Sequence, residues 1–130
     1  MITTTDIENI LYKDCQAFGL DVYRKGNIPK GDVKVDRIVI RTKRQSSERY
    51  WRPCFVEVNV SVPDLRGGVE NSIRLGELER MGHTVLDNVT GMYDETRYRY
   101  SIESVGTEAD TALKCHFVNF RILFEVLNTL

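Results

Sequence analysis

This sequence carries little of what catalysis needs. It has two histidines, His83 and His116, and three cysteines, Cys15, Cys54 and Cys115, none in CxxC spacing. An odd, scattered set of thiols reads as reduced, buried side chains and not as a disulfide frame or metal site. HExxH, a phosphate loop and a nucleophile elbow are all absent, and Gly67-Gly68 approaches a helix without completing GxGxxG. Cys115 and His116 are neighbours on a predicted strand, so they face opposite ways and cannot readily share a metal. His116 shares the face of Val118 and reads as a satisfied histidine at the core edge; His83 reads as a solvated helix position. The paired carboxylates Glu77 and Glu79 fall on different sides of a helix. The sequence therefore predicts no catalytic, cofactor-binding or metal residue, and no enzyme.

Charge of one sign is also missing. Eighteen basic and nineteen acidic residues leave a net charge of -1, which removes the general electrostatic case for a dedicated nucleic-acid or membrane binder. No apolar run approaches the ~20 residues of a membrane span. The opening "MITTTDIENI" has neither a basic n-region nor an apolar h-region, so no secretion signal is expected. The 130 residues fit a single domain, 1–130, able to bury roughly two thirds of its unfolded surface in one core.

What is present is regular patterning. Thr5-Asp6-Ile7-Glu8 has capping-box spacing, and Ile7, Ile10, Leu11, Cys15 and Phe18 recur at helical spacing. Gly19 is placed as a stop, predicting a helix over 5–18. Residues 20–34 hold a short strand at most, followed by a loop. "VDRIVIRTKR" then alternates Ile38, Ile40 and Thr42 against Arg37, Arg41 and Lys43. "RYWRPCFVEVNVSVP" sets Cys54, Val56, Val58, Val60 and Val62 against Glu57, Asn59 and Ser61. Together they predict a long antiparallel hairpin with a polar tip. Pro63 ends the second run or marks an edge.

A second helix is expected over 69–88, with Leu75, Leu78, Val85, Leu86 and Val89 as its stripe and Met81 beside it. Gly76 and Gly82 would each cost it about 1 kcal/mol against alanine, unless they allow close packing on the sheet. "RYRYSIES" and "KCHFVNFRILFEVL" read as two closing strands. The expected fold is α+β: an antiparallel sheet of four to five strands with two helices packed on one face. Phe120, Ile122 and Phe124 should be buried with Val56, Val58 and Val60 beneath Ile10, Leu11, Leu78 and Val85.

One charge concentration remains. Arg41, Lys43, Arg44, Arg49 and Arg52, offset by Glu48, surround Tyr50 and Trp51 at the predicted hairpin tip. Basic residues interleaved with aromatics can clamp phosphates and stack bases; a solvated tip that protects an edge has the same composition. An aromatic beside arginines on a projecting arm also suits a protein contact, with Trp51 as anchor and Arg49 and Arg52 as charged rim.

The element order resembles that of the tail-completion proteins of long-tailed bacteriophages, including the tail terminator family and its prophage relatives. The residues that carry the resemblance are the capped N-terminal helix, the "VY" pair Val22-Tyr23, a loop with Pro29, and "RIVIR". They continue with "FVEVNVSVPD" running into a helix, then two final strands. The resemblance covers nearly the whole chain and rests on order and length. It implies a non-enzymatic structural protein that self-associates into a ring, commonly a hexamer. Such a ring caps the tail tube, meets the head connector, and passes from the host cytoplasm into the virion. Two other classes stay open: a small nucleic-acid-binding domain using 41–52, and an accessory protein of cellular origin that forms no ring.

Overall fold

The computed structural model describes residues 1–47 and 50–128. The first helix, α1 (Thr4–Asp14), continues as a 3-10 turn at Cys15–Phe18 and stops at Gly19, whose φ of 71° is left-handed. Its capping box lies two residues earlier than the spacing predicted. Thr3 accepts from the Asp6 amide at 3.1 Å while Asp6 accepts from the Thr3 amide at 2.8 Å. Three consecutive threonines offered three caps, and burial of Ile2 and Ile7 selected the one used.

The strands are β1 (Asp21–Arg24), β2 (Arg37–Gln45), β3 (Trp51–Pro63), β4 (Val89–Tyr93), β5 (Thr96–Asp110) and β6 (Cys115–Leu127); α2 (Ser72–Val85) lies between β3 and β4. They form one curled mixed sheet in the order β1-β2-β3-β6-β5-β4. This corrects the expected antiparallel sheet of four to five strands: six strands are present, and β1 runs parallel to β2. The coarser α+β class stands, with 48% of the chain in the sheet.

Two local features explain the difference. The short strand allowed within 20–34 is "DVYR", and the loop over 25–36 carries the chain from it to β2. Val89, expected on the stripe of the second helix, instead opens β4. Its hairpin turns on Asp94 and Glu95, with φ of 49° and 60°. Those angles suit a two-residue primed turn, but Asp-Glu lacks the glycine that normally signals one.

Alternation along the strands gives the sheet two unlike faces. Ile38, Ile40, Cys54, Val56, Val58, Val60, Val118, Phe120, Ile122, Phe124 and Val126 are buried on one face. Helix α1 lies over β1 and β2, and α2 over β3 and β6. Leu75, Leu78 and Leu86 complete the core from the helical side, and Val85 packs at its margin. Helix α2 is shorter than the 69–88 expected, because Asn71 caps it by accepting from the Arg74 amide at 3.3 Å.

Candidate functional site

The hairpin residues singled out in the sequence do not converge. Arg41, Lys43 and Arg44 lie on the outer half of β2, all exposed, and a bulge between Thr42 and Gln45 interrupts their alternation. Arg49, with Glu48, lies outside the described residues. Tyr50 is 74% exposed. Trp51 and Arg52 are the first residues of β3, paired with Leu127 and Val126, so their side chains leave on opposite faces of the sheet. Trp51 is half-buried and covered by the Arg99 guanidinium, 4.0 Å from its ring centre. Arg52 Nε is buried without a hydrogen-bond partner among the described residues. Trp51 thus belongs to the sheet and not to a projecting arm.

The face without helices carries a ladder of closed polar contacts over half-buried Phe55, Leu123 and Leu127. Arg99 bonds Glu125 at 3.0 Å. Arg121 bonds Glu103 at 3.2 Å and stacks 4.2 Å over Phe55. Lys43 approaches Glu57 at 3.6 Å, and Asn119 donates to Asn59 at 2.6 Å. Each of these cations has its own carboxylate, which leaves little free charge to hold phosphates. Arg37, expected to face solvent, is buried at the start of β2 with its Nη1 donating to the Pro29 carbonyl at 3.5 Å. The loop over 25–36 that joins β1 to β2 accounts for this.

At the opposite end of the sheet a cleft of about 630 Å³ opens between the loops after β3 and β5. His116, on β6, meets Asp64, one residue past β3, with Nδ1 2.6 Å from a carboxylate oxygen. Their side chains are 20% and 11% exposed. Lys114, at the cleft rim, pairs with Asp32 at 3.3 Å. The sequence identified His116 as a satisfied residue but not its partner, because the β3–β6 pairing that sets Val62 against His116 is non-local.

A histidine–carboxylate pair in a cleft can orient an imidazole. Catalysis would also need a nucleophile on the other ring nitrogen, and among the described residues Nε2 has no such partner. Nor does any group of three His, Cys, Asp or Glu side chains there form a metal cluster. The thiols offer no alternative: burial pushes Cys15 up to about 12 and Cys54 up to about 11, and Cys115 is also raised, first by burial. Protonated, enclosed thiols are poor nucleophiles.

The remaining exposed apolar side chains mark the two ends of the strands. Val35, Leu65, Val69 and Ile73 surround the cleft end, where β2 begins and β3 finishes. Tyr50, Met92 and Tyr93 lie at the other end, beside the hairpin tips, and Met1 is brought there by its amino group, 3.0 Å from Asp94. Among the described residues no helix is long and apolar enough to cross a membrane. Comparison with known proteins finds no family model and no curated sequence that matches this chain.

Proposed function

We propose that this chain is a non-enzymatic assembly protein of a phage or prophage tail, a tail-completion subunit that joins a ring at the end of the tail tube. The observation that carries the reading is the pair of apolar ends. Ile73 is 79% exposed and Val35 61% at one, Tyr50 74% and Met92 60% at the other. A subunit that sits between a tube below and a connector above needs two such surfaces at opposite ends of one rigid body. Isolated exposed apolar residues are ordinary, but groups of them mark contact surfaces. The resemblance in element order to the tail terminator family supplies the context.

The nucleic-acid reading is weaker. Among the described residues, Lys43 is offset by Glu57, and Trp51 is already covered by Arg99 and offers no open stacking platform. Its signature would be binding that weakens steeply with salt.

The test is electron microscopy of tail tubes from the same phage or prophage, incubated with the purified protein above micromolar concentration. Ring density added at tube ends is the expected result. Tubes of fixed length whose ends gain no density would overturn the reading. A monomer on a sizing column is compatible with it, because an array of tube subunits raises local concentration and can close a ring of individually weak contacts.

A further inference from the structure

Both outer edges of the sheet are only half covered. Strand β1 pairs with Arg37–Ile40 and leaves 41–45 of β2 without a strand partner on that side, among the described residues. Strand β4 pairs with Thr96–Tyr100 and leaves the far half of β5 similarly open; the Asp87 carboxylate satisfies the Ile102 amide, and 103–110 extend beyond it. Native proteins usually protect such edges with lysine, proline or a covering element. The open part of β5, "ESVGTEAD", contains no proline or basic residue and carries Glu103, Glu108 and Asp110. The open part of β2, "RTKRQ", carries Arg41, Lys43 and Arg44 and no acid.

We propose that these two edges are one interface: residues 103–110 of one copy add as a strand to residues 41–45 of the next. This rests on the ring reading and names the contact that would build the ring. Four observations converge on it. The charges are opposite: Arg41 and Arg44 on one edge face Glu108 and Asp110 on the other, while Lys43 and Glu103 already pair with Glu57 and Arg121 of their own copy. By contrast, β5 against β5 in an antiparallel register centred on Gly106 and Thr107 would set Glu103 opposite Asp110. Like charges directly opposite each other are destabilising.

Direction also fits. Strand β2 is antiparallel to β3, β3 to β6 and β6 to β5, so β2 and β5 run in opposite senses. A second copy in the same orientation therefore presents β2 antiparallel to β5, with its helices on the same side of the joined sheet. The third observation is space. A groove flanks the open β2 edge, lined by Thr4 together with Thr42, Lys43, Arg44 and Gln45. Finally, the backbone amides and carbonyls on the open side of 41–45 have no ladder partner among the described residues. An added strand brings the donors and acceptors that such atoms lack.

The contact is heterologous, so copies add head to tail and form a ring only if the rotation closes. It also fixes a stagger. Thr107 lies level with Ile38 of its own copy, through Val118 and Val60. Residues directly opposite share a face, so Thr107, on the helix face, sets against Thr42 of a second copy. Glu108 then meets Arg41, Gly106 meets Lys43, and that copy is shifted by four residues, about 14 Å at ~3.4 Å per residue. A closed ring absorbs such a shift only if its strands tilt against the ring axis, as in a barrel.

Cross-linking tests the interface. All three native cysteines are buried, so single variants Lys43→Cys and Gly106→Cys, on the same face of the joined sheet, each add one exposed thiol. Mixed at high concentration under mild oxidation, they should give a 43–106 dimer several-fold in excess of either homodimer. The excess should disappear when Glu108→Arg is added to the Gly106→Cys chain. A yield no greater than that of a Thr84→Cys control pair would overturn the proposal, as would an excess of 106–106 dimers. Failure here with ring density still seen on tails rejects this contact alone. A 43–106 product that grows only into open filaments keeps the contact and rejects the closed ring.

Discussion

A Cβ placed on Gly82 would lie 2.1 Å from Cζ of Phe120, so helix α2 rests its backbone directly on the aromatic ring at the centre of β6. Gly76, one turn and a half earlier, has only the far end of Arg80 nearby. The two helix glycines therefore differ in role. Gly82 is a contact, whereas Gly76 is a weak point. Gly82→Ala should destabilise the protein by about 1–3 kcal/mol through overpacking, despite alanine's better helix propensity. Gly76→Ala should stabilise it by up to about 1 kcal/mol. Denaturant midpoints of the two variants should move in opposite directions; a common direction would contradict this assignment.

Phe120→Ala tests the same contact from the strand. The ring is fully buried between α2 and the sheet, so its removal should cost about 3–5 kcal/mol. A loss below about 1 kcal/mol in an equilibrium unfolding curve would show that the site collapses freely and that α2 is not seated on it.

Tyr100 joins the two layers. Its hydroxyl donates to the Asp14 carboxylate at 2.6 Å, from a strand residue that is 1% exposed to a helix end. Burial first, and then the hydrogen bond and charge of Asp14, raise its pKa well above the ordinary 10.0. Above that ordinary value the unfolded chain releases a proton that the folded chain retains, so the stability contribution present at neutral pH falls as pH rises. Tyr100→Phe should lower stability at pH 7 by about 1.5–3 kcal/mol, as for a hydrogen bond to a charged group. Its melting temperature should also decline less steeply above pH 10 than that of the parent. Parallel declines would remove Tyr100 as the cause.

The N-terminal cap has the opposite pH dependence. The Thr3 amide holds the Asp6 carboxyl below its ordinary 3.8. A depressed folded-state pKa contributes stability above the unfolded value, and that contribution is lost as pH falls through the folded one. Thr3→Ala should cost about 1 kcal/mol at neutral pH. Asp6→Asn should be less stable than the parent at pH 7 and converge with it in acid. A gap between the two melting curves that stays constant down to the acid limb would refute the linkage.

Trp51 is the protein's only tryptophan, which makes the cation–π contact directly observable. Arg99→Ala should uncover the indole, shift its emission to the red and increase its quenching by iodide. Unchanged emission would mean that the guanidinium does not shield the ring in solution.

The alternation of Val56, Val58 and Val60, and of Phe120, Ile122 and Phe124, fixed which face of each strand is buried, because a period of two leaves one solution per strand. Helical spacing and a threonine cap likewise determined α1 to within a few residues. The basic character of β2 was also legible. Strand order was not. Nothing local tells β1 to run parallel beside β2, or β6 to insert between β3 and β5, because those pairings join residues far apart in the chain. The same non-local pairing brought Asp64 to His116 and Arg99 to Trp51, and placed Trp51 and Arg52 on opposite faces. It also left an acidic edge and a basic edge open on opposite sides of one sheet. Local sequence determines which way a side chain points; only the assembled sheet decides what it meets.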